Sequence, residues 1–152
     1  MDFKKKVNIV NRKAKFEYHF HDTLEAGMML QGTELKSVRL NNVNMGDAFC
    51  TFIKEELYVR NIYIAPYEQG TVNSHETRRD IKLLLKKKEL RKWLKKTEEK
   101  GFTIVPYKMY FSERGFAKIE IALAQGKKTY DKRATLKERD NKREMDRVKK
   151  MY

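Results

Sequence analysis

The sequence predicts a mainly β fold: a small closed or partly closed barrel with short helices at its flanks and a basic C-terminal tail. Three observations carry that reading. Apolar and aromatic residues recur at period two, or in runs of strand length, in five or six places separated by turn residues. Helical composition is confined to residues 22–39 and 80–100. Beyond Gly126 the large apolar residues nearly vanish while the charge density stays high. Short strands with few helices bury their edges best by closing into a barrel.

Residues 15–20 place Phe16, Tyr18 and Phe20 on one face, the mark of a half-buried strand. Asp22-Thr23-Leu24-Glu25 has the spacing of a capping box, with the Asp accepting from backbone N–H groups and Glu25 reaching back. Gly27 then limits that helix to a short turn. Thr33 is placed to cap a second short helix, with Leu35 and Val38 inward and Lys36 and Arg39 outward. Residues 49–53 and 57–64 are apolar runs joined by the polar Lys54-Glu55-Glu56, a hairpin that Pro66 ends. The polar stretch 70–79 reads as a loop.

In residues 80–100 the apolar phase does not hold. Ile81, Leu84 and Leu85 share one helical face, whereas Leu90, Trp93 and Leu94 sit about half a turn around. The spacing predicts two short helices, or a kink near Lys86-Lys87-Lys88, with Gly101 as terminator. Residues 102–107 and 109–111 read as buried strand, and Ser112-Glu113-Arg114-Gly115 as a turn. In residues 116–124, Ala117, Ile119, Ile121 and Leu123 face one way, Lys118 and Glu120 the other.

Residues 126–152 hold 11 Lys+Arg against 5 Asp+Glu, and their only large aliphatic residues are Leu136, Met145, Val148 and Met151. That is too little apolar surface to offset the entropy of ordering the chain. The expected organisation is a barrel domain over 1–125 and a tail over 126–152, disordered when free and partly helical on an RNA surface.

A net charge of +14 in 152 residues attracts polyanions. Nucleic acid comes first; an anionic membrane comes second, weakened because interfacial helices need an apolar face that 126–152 lacks. No apolar run approaches the roughly 20 residues of a membrane span. The start, Met1-Asp2-Phe3-Lys4-Lys5-Lys6, has no apolar stretch behind it and does not read as a secretory signal. The single Cys50 forms no internal disulfide and no cysteine-only zinc site. These features predict a cytoplasmic protein.

His19 and His21 flank Phe20 without a nearby third ligand, so no metal site is expected. There is no Gly-rich phosphate loop, no Ser-His-Asp or Cys-His arrangement in context, and Glu98-Glu99 sit in a charged helix. The expectation is a non-enzyme with no cofactor. Within a basic surface, Glu25 beside Gly27 is able to accept from base amino groups, which lysines cannot do; its plainer role is the capping box. Leu84 reads as core from its spacing with Ile81. Tyr18 is either a core aromatic or a stacking platform. Lys13, Lys15, Lys36, Arg39, Lys82, Lys86 and Lys87 are singly ordinary surface, but a protein of this charge carries a positive face, and looped RNA is read through such a face with aromatic stacking.

Three blocks take the reading further. Leu24-Glu25-Ala26-Gly27 followed by Gln31-Gly32-Thr33-Glu34-Leu35-Lys36-Ser37-Val38-Arg39 resembles the (F/Y)EAG…GxExKS(L/I)R signature of the SsrA-binding proteins, also called small protein B. Arg79-Asp80-Ile81-Lys82-Leu83-Leu84-Leu85 with Glu89-Leu90 is similar to that family's RKLLL…REI segment. Gly126-Lys127-Lys128-Thr129-Tyr130-Asp131-Lys132-Arg133, with Lys137-Glu138-Arg139, resembles its GKKxxDKR…KER tail. The blocks lie in order, and the likeness runs from about residue 7 to the C-terminus.

The resemblance implies an OB-like β-barrel that binds the tRNA-like domain of transfer-messenger RNA. The residues implied for that contact are Lys13, Lys15, Tyr18, Glu25, Gly27, Lys36, Arg39, Lys82, Leu84 and Lys86, with Leu84 at the RNA interface instead of in the core. It further implies that Lys127, Lys128, Tyr130, Asp131, Lys132, Arg133, Lys137 and Arg139 meet the ribosome. There the tail enters the empty mRNA channel, touching the decoding centre and small-subunit rRNA, with 136–151 helical along the mRNA path. Elongation factor Tu and alanyl-tRNA synthetase are implied as indirect partners, and no membrane. Lys86 stands where many relatives carry Asn, and Tyr130 where others carry His. The alternative is a general RNA-binding or ribosome-assembly OB-fold protein.

Overall fold

The computed structural model describes residues 7–67, 75–99 and 101–127, together with Arg133 and Arg143. In chain order these form β1 (Asn8–Val10), α1 (Arg12–Glu17), β2 (Tyr18–Met28), α2 (Gly32–Arg39), β3 (Val43–Asn44), β4 (Phe49–Ile53), β5 (Glu56–Arg60), β6 (Tyr63–Ile64), β7 (Ile81–Leu84), α3 (Lys87–Glu98), β8 (Phe102–Phe111) and β9 (Ala117–Gly126). The main sheet runs β1-β8-β4-β5-β7-β2-β9, and β9 pairs back onto β8. The six strands β8-β4-β5-β7-β2-β9 therefore close a ring, and β1 lies outside it against the end of β8. β3 and β6 make a separate two-stranded ribbon. The fold is mainly β and OB-like, as the sequence led one to expect.

Period-two burial builds the core. Leu57, Val59, Ile81, Leu83, Ile104, Met109, Ile119 and Ile121 are buried inside the ring, where Val38 of α2 and Trp93 of α3 join the same cluster. At one end β9 is buried on both faces: Ala122 and Ala124 pack with Ala14 and Val105, with Tyr18 and Phe20 against them. Alanines there leave room for α1 to approach the barrel wall.

Several local expectations give way to longer-range contacts. Residues 12–17 are helix, not strand, and Phe16 lies on α1. Asn11 caps it: Oδ1 accepts from the Ala14 N–H at 3.3 Å, while Nδ2 donates to the Met45 and Pro106 carbonyls at 3.0 and 2.9 Å. Residues 22–25 form no capping box. β2 runs straight through them, laddered to β9 from Tyr18 to Gly27 with one bulge between Phe20 and Asp22. A ladder of that length outweighs one local cap.

The capping box sits instead at the start of α2, where the Gln31 N–H donates to Glu34 Oε1 at 2.8 Å. Thr33 is not the cap; its Oγ1 lies 2.9 Å from His75 Nδ1. Val38 faces inward, and Lys36 and Arg39 outward, as expected. The β4–β5 hairpin forms on a two-residue turn with Lys54 and Glu55 both left-handed (φ 51° and 66°). The run 57–64 is broken at Asn61 (φ 65°) into β5 and β6.

The largest correction falls on 80–100. The chain breaks where the phase failed, but what precedes the break is the strand β7; only α3 is helical. Ile81 and Leu83 are buried while Leu84 is 51% exposed, so the period is two and Leu84 is not core. Gly101 (φ +90°) follows α3. Pro106 stands at the β8 bulge, where the register shifts between Pro106 and Lys108. No helix among the described residues is long and apolar enough to cross a membrane.

Candidate RNA interface

The register assembles one outward face across β7, β2, β9 and β8. Glu25 and Gly27 point out from β2 between Ala26 and Met28, which are buried. Gly27 lies opposite Leu84 on β7 and Lys118 on β9, and Lys118 lies opposite Tyr110 on β8. Glu25 lies opposite Glu120, which lies opposite Lys108. Two adjacent rows result, Leu84-Gly27-Lys118-Tyr110 and Glu25-Glu120-Lys108. Gly27 suits the position: a Cβ there would stand 3.3 Å from the Cβ of Leu84, a tight contact to which Leu84 would have to yield by a few tenths of an ångström. Without it, Leu84 lies flat across the strand pair and half exposed.

Two carboxylates facing each other across a ladder repel. The Tyr110 hydroxyl meets that cost by donating a hydrogen bond to Glu25 Oε2. Partial burial first, and the Glu25 hydrogen bond next, hold the Tyr110 phenol above its ordinary ionisation range. Glu25 is thus a strand residue with a bound donor, and its capping-box role is ruled out.

Lys82 shares the face two residues before Leu84, but its ammonium is engaged. Nζ lies 2.9 Å from Glu56 Oε1, and the Tyr58 hydroxyl reaches Glu56 Oε2 at 3.4 Å. The Lys82 hydrogen bond holds the Glu56 carboxyl below its ordinary range, and the same bond holds Lys82 above its own. The segment entering β7 is clamped. Arg79 Nη2 donates to Glu34 Oε1 at 2.7 Å and to the Met29 carbonyl at 3.0 Å, while His75 Nε2 lies 3.0 Å from the Ile64 carbonyl. Glu34, Ser37 and His75 are buried. This polar knot places β7, and with it Leu84, on the face.

The other expected residues each have partners of their own. Lys13 pairs with Asp47 at 3.2 Å, which raises its pKa through that hydrogen bond. Lys15 Nζ stands 5.4 Å over the Tyr107 ring, Lys36 Nζ 5.1 Å over Tyr67, and the Arg39 guanidinium 5.3 Å over Phe111. Lys86 precedes α3, where its N–H donates to Glu89 Oε1 at 3.2 Å and its side chain is exposed. Tyr18 is partly buried and packs against the small core under α1. His21 Nε2 lies 2.9 Å from Gln125 Oε1. Sequence reasoning missed Tyr110, Lys108 and Tyr107, and left Lys118 and Glu120 without a role. The alternation that put Lys118 outward also puts Tyr110 outward beside the buried Met109.

In the tail, the Lys127 N–H donates to the Glu17 carbonyl at 2.8 Å, and Arg133 is exposed. Lys128, Tyr130, Asp131, Lys132, Lys137 and Arg139 lie outside the described residues, as does the expected disorder of the tail.

A closed small barrel that gathers cations, one tethered carboxylate and an exposed leucine on one sheet face is a barrel of the OB-like class. The family model described as SmpB protein matches residues 8–151. The SsrA-binding protein of Phocaeicola vulgatus is 51% identical over 142 residues, 93% of this chain and 95% of that protein. That of Flavobacterium psychrophilum is 49% identical over 148 residues, 97% of this chain and 99% of that protein. The chain belongs to the SmpB protein family. A solved chain described under "tmRNA-SmpB: a journey to the center of the bacterial ribosome" is 49% identical, with a TM-score of 0.69 over 81% of this chain and 86% of that one.

Proposed function

We propose that this chain is a non-catalytic, cytoplasmic adaptor of trans-translation. Its barrel binds the tRNA-like domain of transfer-messenger RNA, and its C-terminal tail occupies the empty mRNA channel of a stalled ribosome. Elongation factor Tu and alanyl-tRNA synthetase act on the same RNA and are indirect partners. The observation that carries the reading is the convergence of Glu25, Gly27, Leu84 and Lys82, drawn from two distant sequence blocks, on one barrel face. Cations there bind phosphates without regard to sequence, whereas the Glu25 carboxylate accepts from base amino groups or ribose hydroxyls and lends selectivity. Linking a barrel contact to a tail contact makes binding strong only where both sites are present.

The test is a competition assay at physiological salt, where a polybasic chain no longer binds every RNA. Labelled transfer-messenger RNA is challenged with excess bulk tRNA, using the full chain and a version ending at Lys127. Retention of the label by both versions is the expected result, with the ribosome engaged by the full chain alone. One-for-one displacement by bulk tRNA would favour a general RNA-binding protein.

A further inference from the structure

The last carbonyl of α1 takes the first N–H beyond the barrel. Glu17 ends α1, and its carbonyl oxygen accepts from Lys127, one residue past β9, at 2.8 Å. The β2–β9 ladder stops one position earlier, at Tyr18 and Gly126. A helix leaves its final carbonyls without partners of its own, and a strand leaving its sheet carries an N–H with no ladder to join. Each supplies what the other lacks, so the C-terminal segment is held by the end of a helix as well as by the sheet.

α1 does not keep that place unaided. It has six residues, where a helix needs roughly 12–15 to persist in water on its own. Asn11 supplies the support. Its Oδ1 caps the helix at Ala14, its amide group donates to the Met45 and Pro106 carbonyls, and its backbone N–H donates to the Tyr107 carbonyl at 2.7 Å. One buried residue thus ties the start of α1 both to the segment between β3 and β4 and to the β8 bulge. Ala14 then packs on Val105, Ala122 and Ala124, the last two on the strand that ends at Gly126.

Placement matters because the tether is short. Asp131, Lys132 and Arg133 follow Lys127 by four to six residues, a reach of at most about 14 to 22 Å for a fully extended chain. Over so few residues a chain does not lose its starting direction, and the point of departure limits where it arrives.

We propose that α1 is a bracket that aims the C-terminal segment, with Asn11 as the positioning residue that sets the helix and the Glu17 carbonyl as the group that holds Lys127. That assignment rests on the reading of the tail as the ribosome contact. It concerns how the barrel hands the tail to its site, and leaves the binding of RNA by the barrel unaltered.

Two variants at one position isolate the bond. K127A and K127P both lose the lysine side chain, but only proline removes the N–H. Capture of labelled transfer-messenger RNA by ribosomes stalled with an empty mRNA channel is measured by co-sedimentation, beside affinity for the RNA alone and the melting temperature. K127P is expected to capture about three- to tenfold less well than K127A, with equal affinity for the free RNA and an equal melting temperature. N11S keeps a capping oxygen and loses both amide donors, and is expected to show the same split. In the N11S background, K127P and K127A are expected to capture alike, since the bracket is already lost. Equal capture by K127P and K127A in the wild-type background overturns the proposal, as does a matching loss of affinity for the free RNA. An undiminished K127P loss in the N11S background removes Asn11 from it, and if N11S does not fold, the two Lys127 variants decide alone. A chain ending at Lys127 that captures ribosomes as well as the full chain would sink the ribosomal role of the tail itself, a separate outcome.

Discussion

The Tyr110 hydroxyl on β8 donates to the Glu25 carboxylate on β2, spanning the intervening strand β9 on the outward face of the barrel. The bond holds one carboxylate oxygen and leaves the other directed by it, next to Glu120 of like charge. Y110F removes the donor and leaves the ring. It is expected to weaken transfer-messenger RNA binding about three- to tenfold, with less loss on bulk tRNA and little change in melting temperature. The phenol is neutral when it donates, and its folded pKa is raised. The bond's contribution is therefore present below the unfolded tyrosine value of about 10 and fades as pH rises through the higher folded value. An absorbance titration of wild type minus Y110F should show one tyrosine ionising late; a tyrosine ionising at its ordinary value would refute the bond.

Leu83 and Leu84 are neighbours with opposite fates, one buried and one half exposed. L83A is expected to cost about 2–5 kcal/mol of stability. L84A should leave the melting temperature within a few degrees of wild type and reduce RNA affinity. Thermal melts and binding on the same two variants check both halves, and a large melting shift for L84A would return that residue to the core.

Glu34 is 1% exposed and accepts from Arg79 and from the Gln31 N–H. R79M leaves that buried carboxylate without its cation, at a cost of about 3 kcal/mol, the low end for a broken buried pair because Arg79 is itself partly exposed. E34Q keeps hydrogen-bonding capacity and should cost less. Denaturant unfolding of both variants orders them; an R79M protein as stable as wild type would mean that the clamp on β7 contributes nothing.

The Glu56–Lys82 pair predicts a pH response with a definite sign. Glu56 is held low by the Lys82 hydrogen bond, so its contribution is present above about pH 4.3 and is lost as pH falls through the lower folded value. Lys82 is held high, so its share is present below about 10.4 and lost as pH rises through the folded value. Both groups are open to solvent, and the stability at stake is small. Carbon-detected NMR of Glu56 reads it directly: K82M should return Glu56 to the ordinary carboxylate range, and an unmoved titration would mean the pair does not form in solution.

The strands of the barrel were legible wherever burial alternates, as along β9 and in the β4–β5 hairpin. β7 was not, because Leu83, Leu84 and Leu85 adjoin and hide a period of two inside an apolar run. What marks Leu84 as surface is its place opposite Gly27, a contact between residues 57 positions apart. α1 was read as strand because its start is fixed by Asn11 bonds to Met45 and Pro106, 34 and 95 residues away, which no local pattern displays. Glu25 was legible as an unusual acid, but its donor, Tyr110, lies 85 residues on. The tail's role came from resemblance alone, and most of its expected contacts lie outside the described residues.

Ring closure has one more consequence. RNA concentrates bound copies of a basic protein, and crowded open sheet edges are prone to zip together. Here β9 pairs back onto β8, and among the described residues the strands left outside the ring, β1, β3 and β6, are only two or three residues long. Little backbone is offered to a neighbouring copy. Copies of the barrel gathered at high local density on an RNA therefore meet mainly through side chains, which disfavours edge-to-edge pairing of these strands.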